Sequence, residues 1–170
     1  MRHVITALSL ATCISHAYAE PDQELRQYLY QERVEEAEST SGTNFEQALD
    51  AKLIIKEWQS NQARAQLKFS KPGLYYGKLN RVILVNGTAN FVLNGGTSTE
   101  IIVILFDYQL GPWKKTNGKW TPSTFQNTIE FAADYNKGRD FYFQCRRIEF
   151  SFKPYLKNCL AFPMNVVKES

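Results

Sequence analysis

Read from residue 21, the hydrophobic period of the chain changes once, near residue 72. Residues 21–38 (PDQELRQYLYQERVEEAE) are polar, with Leu25, Tyr28 and Leu29 on one stripe, the pattern of a weakly amphipathic helix. Ser39-Thr40-Ser41-Gly42 is a breaker cluster. Thr43-x-x-Glu46 then reads as a capping box, in which the threonine oxygen takes an orphan amide and the glutamate reaches back. Phe45, Ala48, Leu49, Ile55, Trp58, Ala65 and Phe69 recur at near-helical spacing, which predicts one helix from 43 to about 69. Lys71-Pro72-Gly73 ends it, because proline lacks the amide a helix needs.

Beyond Leu74 the pattern is that of strands. Tyr75 to Val85 is rich in β-formers, Asn86-Gly87 is a hairpin signal, and Ala89 to Leu93 follows. After Asn94-Gly95-Gly96 comes Ile101 to Phe106, apolar on both faces and therefore predicted as a central strand covered on both sides. Phe141 to Phe150 and Asn158 to Phe162 supply two more. Between the third and fourth strands, Asn117-Gly118 is the best hairpin turn in the chain and sets Lys115 opposite Trp120. Residues 122–135 hold a short helical turn. Five strands behind a helix, with close early turns and one long connection, predict a small closed barrel in a mainly β, α+β domain. Aromatic residues make up 14% of the chain and fall largely in these runs, which agrees with strands.

The first 19 residues have a different character. Met1-Arg2-His3 is a basic start, Val4 to Ile14 an apolar run, and Ala17-Tyr18-Ala19 a small-x-small cleavage pattern. This predicts a signal peptide over 1–19 and a periplasmic or secreted product. A competing reading takes Leu10-Ala11-Thr12-Cys13 as a lipoprotein box with Cys13 lipidated; Thr12 before the cut counts against it. The remaining divisions are an N-terminal helix and linker (20–42), the barrel domain with its lead-in helix (43–165) and a tail (166–170). No later stretch approaches the roughly 20 apolar residues of a membrane helix.

Removing the leader changes the chemistry at hand. Both histidines, His3 and His16, go with it, and two cysteines remain, Cys145 and Cys159. Most zinc and hydrolytic chemistry needs an imidazole or a free thiolate, so the expectation is no enzyme, no metal and no cofactor. The two cysteines close a loop of about 15 residues, and a structural disulfide there stabilises by roughly 3 kcal/mol in an oxidising compartment. A redox pair is the alternative, but no Cys-x-x-Cys spacing supports it. Glu35, Glu36, Asp107, Glu130 and Asp134 are not brought together as a catalytic pair by anything in the sequence. The formal charge of +3 falls to about +2 without Arg2, too little to imply a polyanion partner.

Three pieces in order carry a resemblance. They are Trp58 to Phe69 at the end of the helical run, the strand series, and Gly138-x-x-Phe141-x-Phe143-x-Cys145 followed by Tyr155-Leu156-Lys157-Asn158-Cys159. Over residues 46–162 the chain resembles a bacterial family of exported OB-fold domains, named for likeness to the tRNA-anticodon-binding OB domain. The resemblance implies an OB-fold-like barrel preceded by a long helix, and little about activity. Lys71 to Leu74 and the Trp113–Trp120 hairpin depart from the family pattern.

OB folds use surface aromatics and cations to grip ligands, which makes Trp113, Lys114, Lys115, Lys119 and Trp120 the candidate ligand-binding group. Arg146, Arg147 and Lys153 near Phe150, Phe152 and Tyr155 form a second basic-aromatic cluster, although alternation sends Arg146 and Arg147 to opposite faces. The expected function is a non-catalytic, exported binding module for an envelope protein, a peptide or an oligosaccharide. A module for single-stranded nucleic acid in DNA uptake or transfer is the alternative.

Overall fold

Helix α1 (Pro21–Ser41) opens on a proline, whose fixed φ suits a first helical turn, and stops at Gly42 with φ +65°. The computed structural model describes residues 21–96, 98–107, 109–110, 114–121, 124–125 and 127–169; side chains at 21–30, 114–116, 119–121, 124–125, 166, 168 and 169 are not described. The leader and Cys13 lie outside these residues.

The helical run predicted for 43–69 is divided. A 3-10 turn (Phe45–Gln47) and a two-residue strand β1 (Leu49–Asp50) precede α2 (Ala51–Ser60) and α3 (Gln62–Lys68). Side-chain caps account for each break. Asn44, not Thr43, caps the 3-10 turn, its oxygen accepting from the Gln47 amide at 3.0 Å, while Thr43 reaches the Gln47 side chain. Asp50 caps α2 through the Lys52 amide at 2.9 Å. Asn61, with extended backbone, both ends α2 and caps α3 through the Arg64 amide at 2.9 Å. A side chain that bonds a nearby amide offers the backbone an alternative to continuing the helix. Apolar periodicity alone does not register that competition.

Five strands close into a ring. They are β2 (Gly73–Val85), β3 (Thr88–Asn94), β4 (Glu100–Leu105), and then, after β5 (Gln109–Leu110), β6 (Lys114–Thr116), β7 (Lys119–Thr121), β8 (Thr124–Phe125) and α4 (Thr128–Ala133), β9 (Asp140–Phe150) and β10 (Pro154–Pro163). The order around the ring is β2-β3-β4-β10-β9 and back to β2. Within the ring β4 and β10 pair in parallel and the other four pairings are antiparallel; outside it, β1 pairs in parallel with β2. The result is a mixed α+β, roughly barrel-like domain. The last strand begins four residues earlier than Asn158, the start read from the sequence. Helix α5 (Met164–Glu169) follows it.

Alternation sends Ala89, Phe91 and Leu93 of β3, Ile101, Val103 and Leu105 of β4, and Phe141, Phe143 and Cys145 of β9 into one interior core. Ile54, Ile55, Ala65 and Phe69 of α2, α3 and their end join that core at the mouth where β2 starts and β9 ends. Phe131 of α4 stacks on Phe91 at 5.8 Å and closes the opposite mouth.

A second cluster lies outside the ring. Leu74, Tyr142, Leu160 and Phe162 project outward and are covered by Ala37 of α1, Phe45 of the 3-10 turn and Leu110, with Val34, Met164 and Val167 packed at its margin. The N-terminal segment and the chain's end thus pack on the barrel wall. They cover one half of it.

Candidate functional site

The boundary between the covered and bare halves is set by a change of phase in two paired strands. Cys145 and Ile148 both point inward, three residues apart, and across the ladder Leu156 and Cys159 do the same. Strict alternation cannot place residues three apart on one face, so both strands shift phase at Arg146-Arg147 and Lys157-Asn158. Asn158 absorbs the shift with φ +55°, at the point where the β4–β10 register is interrupted. The consequence for the arginines follows directly. Arg146 turns toward α1, its guanidinium 5.1 Å from the centre of the Phe106 ring; Arg147 belongs to the other half.

The bare half is built from the second half of β2, β3, β4, and the paired ends of β10 and β9. Register lines Arg81, Val92, Ile102, Tyr155 and Glu149 in one row across five strands. Ile83 and Asn90 stand side by side in the next row, as do Ile104 and Lys157. Ile83, Ile102, Ile104 and Tyr155 are half-buried, so the face is apolar along its middle. Two acid-centred groups frame it. Glu100 takes Arg81 at 2.8 Å, across β3, and Lys153 at 3.7 Å. Glu149 takes Lys157 at 2.5 Å and Arg147 at 2.8 Å. The Lys157 hydrogen bond, more than burial opposes it, holds the Glu149 carboxyl below its ordinary range, with the charges of Lys157 and Arg147 adding to the effect.

The two turns at either side of this face carry exposed apolar side chains. Phe152, in the β9–β10 turn, is 92% exposed, and Val85, next to the Asn86-Gly87 turn and on the same face of β2 as Arg81 and Ile83, is 48% exposed; Leu84, paired with the inward Ala89, belongs to the other face. Among the described residues none buries Phe152 or Val85. Beneath the face, the Asn90 side-chain oxygen is buried and, among the described residues, is the buried side-chain polar atom that has no hydrogen-bond partner.

The Trp/Lys hairpin forms as read. Asn117 and Gly118 adopt positive φ, 51° and 81°, as a type I′ turn requires, and Lys115 pairs with Trp120. Its second strand runs beside α1. Trp113 lies outside the described residues, and so do the side chains of Lys114, Lys115, Lys119 and Trp120. Cys145 and Cys159, directly paired in the ladder, form the disulfide. Among the described residues no three histidine, cysteine, aspartate or glutamate side chains gather as a metal site, and no helix is long and apolar enough to cross a membrane.

The sequence grouped Arg146, Arg147 and Lys153 with Phe150, Phe152 and Tyr155; the fold brings Arg147, Lys153 and Tyr155 to this face with Phe152 in the turn beside it, turns Arg146 toward α1 and packs Phe150 against the interior core. The sequence grouping missed Arg81, Glu100, Ile83 and Ile102, which lie 45 or more residues away in the chain. Their only local signal was alternation. Comparison of the chain with models of protein families, with characterised proteins and with solved structures finds no match.

Proposed function

We propose that this protein is an exported, OB-type binding module that engages a protein or peptide partner through the bare half of its barrel and performs no catalysis. The ring order supports the OB assignment. Numbered as barrel strands, it runs first, second, third, fifth, fourth and back to first, with the third and fifth parallel, and a short helix lies between the third and fourth. In that fold the face over the second and third strands, between the first and last hairpin loops, takes the ligand.

The observation that carries the reading is the pairing of an apolar mid-face with Phe152 and Val85 standing exposed at its two ends. Exposed aromatic and aliphatic anchors beside half-buried strand residues match the anchors of protein interfaces. The charges argue the same way. Arg81, Lys153, Arg147 and Lys157 are already shared between two glutamates, so a polyanion competes with built-in counter-charges. A nucleic-acid groove leaves its cations open to phosphates. An oxidising, extracytoplasmic location agrees with the disulfide.

The test is crosslinking and capture in bacterial envelopes from cells expressing the full coding sequence, with the mass of the product reporting where the chain begins. Phe152→Asp with Val85→Asp is expected to lose the captured partner while leaving the melting temperature unchanged. The Trp113→Ala, Trp120→Ala variant reports separately on the hairpin. Capture unaffected by Phe152→Asp and Val85→Asp rejects the bare face as the interface. Binding to single-stranded oligonucleotides that weakens steeply with salt replaces the proposal by the nucleic-acid reading.

A further inference from the structure

A separate feature lies on the covered half, between α1 and the wall of β9 and β10. A small cavity of about 40 Å³ is lined by Arg33, Glu36 and Thr40 of α1 and by Phe106, Gln144 and Arg146 of the barrel side. On a scale of about 10–15 Å³ per water, this is room for about three heavy atoms. Gln144 is only 5% exposed as a residue and its carboxamide makes no hydrogen bond to any described residue, but its polar atoms are not sealed off and keep contact with solvent where the residue lines this cavity. An otherwise buried planar amide with its open contact at the cavity wall offers its N–H groups to whatever occupies the cavity.

The charges of the lining define that partner. Arg33 and Arg146 stand against the single carboxylate of Glu36, which Arg33 already takes as its ion-pair partner, so the lining carries a formal charge of plus one. Arg146 is without a carboxylate among the described residues and is held by the Phe106 ring. Guanidinium and carboxamide groups are planar donors, matched to a planar two-oxygen acceptor. Three heavy atoms, one negative charge and a planar donor set describe a carboxylate head.

We infer that this cavity is a carboxylate-binding site, with Arg146 and the Gln144 amide as its donors and Thr40 at its rim. The rest of the ligand projects to solvent, since the cavity has no room for it. The carboxylate comes either from a free small acid or from a polypeptide.

The test uses the uniformly 15N-labelled protein and follows the side-chain amide of Gln144, assigned by its loss in Gln144→Leu. Sodium acetate is titrated against sodium chloride at equal ionic strength. Acetate is expected to shift the Gln144 amide saturably in the millimolar range, and Arg146→Gln to weaken that response at least fivefold. Arg146 is exposed, so Arg146→Gln keeps the fold, which its melting temperature verifies. A short peptide with a free C-terminus, compared with its C-terminal amide, separates the two sources. Competition with acetate by the free form alone points to a polypeptide carboxylate, and no competition points to a small acid. Equal shifts from chloride and acetate, or an acetate response unchanged in Arg146→Gln, overturn the site.

Discussion

Gln109 completes the hydrogen bonding of Cys159's strand with its side chain. The carboxamide nitrogen donates to the Cys159 carbonyl at 3.0 Å and to the Phe106 carbonyl at 3.1 Å, and its oxygen accepts from the Ala161 amide at 2.9 Å. Strand β4 stops at Leu105, opposite Cys159, so the edge of β10 beyond that point loses its parallel partner. Gln109, with no exposed surface, takes the place of a strand there. Buried main-chain groups must be paired; the side chain does this for the Ala161 amide and adds a second donor to the Cys159 carbonyl, which also accepts from the Phe106 amide at 3.0 Å.

Gln109→Leu keeps the volume and removes all three bonds. The expected cost is about 2 kcal/mol, because the buried Ala161 amide is left unpaired while the Cys159 carbonyl keeps its bond from the Phe106 amide. Urea denaturation measures it. A change below about 0.5 kcal/mol shows that water or a local shift replaces the amide.

The disulfide joins Cys145 to its directly opposed neighbour Cys159, both fully buried. Cys145→Ser with Cys159→Ser is expected to lose roughly 3 kcal/mol relative to the oxidised protein. Its melting temperature should be no higher than that of the reduced wild type. Identical melting of the double variant and the oxidised protein removes the bridge from the stability of the fold. Because both sulfurs are buried, reduction under native conditions should require opening of β9 from β10.

Gly95 lies where the β3–β4 turn touches α2. A Cβ built there meets Ile55 Cδ1 at 2.0 Å and the Thr99 carbonyl oxygen at 2.4 Å. Gly95→Ala is expected to cost about 2 kcal/mol through the shift it forces in packed surroundings. Adding Ile55→Ala removes one clash and leaves the backbone one, so it should not restore stability. Recovery in the double variant, read from thermal unfolding, locates the strain in the side chain alone.

Stability should fall at both ends of the pH scale. Glu57 is held below the ordinary 4.5 by hydrogen bonds from Arg64 and then Lys68, and Glu149 by Lys157. A lowered carboxyl pKa contributes stability above its unfolded value and loses it as pH falls through the folded one. The acid limb should therefore begin near pH 4.5 and shrink in Glu149→Gln. At the alkaline end, burial pushes the Tyr75 hydroxyl up to about 12. The unfolded chain ionises that group near pH 10, so its contribution falls between about pH 10 and 12 and is absent from Tyr75→Phe. Melting temperature against pH for the three proteins checks both limbs.

The amino-acid sequence by itself determined the features whose causes lie within a few residues. Asn86-Gly87 and Asn117-Gly118 specify their turns because these residue types tolerate positive φ, and each turn fixes the register of its hairpin. Period-two alternation and β-branched or aromatic composition located the five ring strands. The change of period at Pro72 separated them from the helices. The break of the helical run at Asn61 was also written locally, but as a cap competing with periodicity, and the periodic pattern hid it.

Tertiary structure alone decided the rest. That β4 meets β10 in parallel, that Gln109 serves as a strand for Cys159, and that α1 covers one half of the wall are matters of partners 40 or more residues apart in the chain or on different elements. The phase shift shared by β9 and β10 sends Arg146 under α1 and Arg147 onto the bare face, and it exists only when the two strands are paired. Local propensity reaches a few residues along the chain. Which surface stays open depends on how the ring closes, and closure is a balance of buried area and paired backbone over the whole domain.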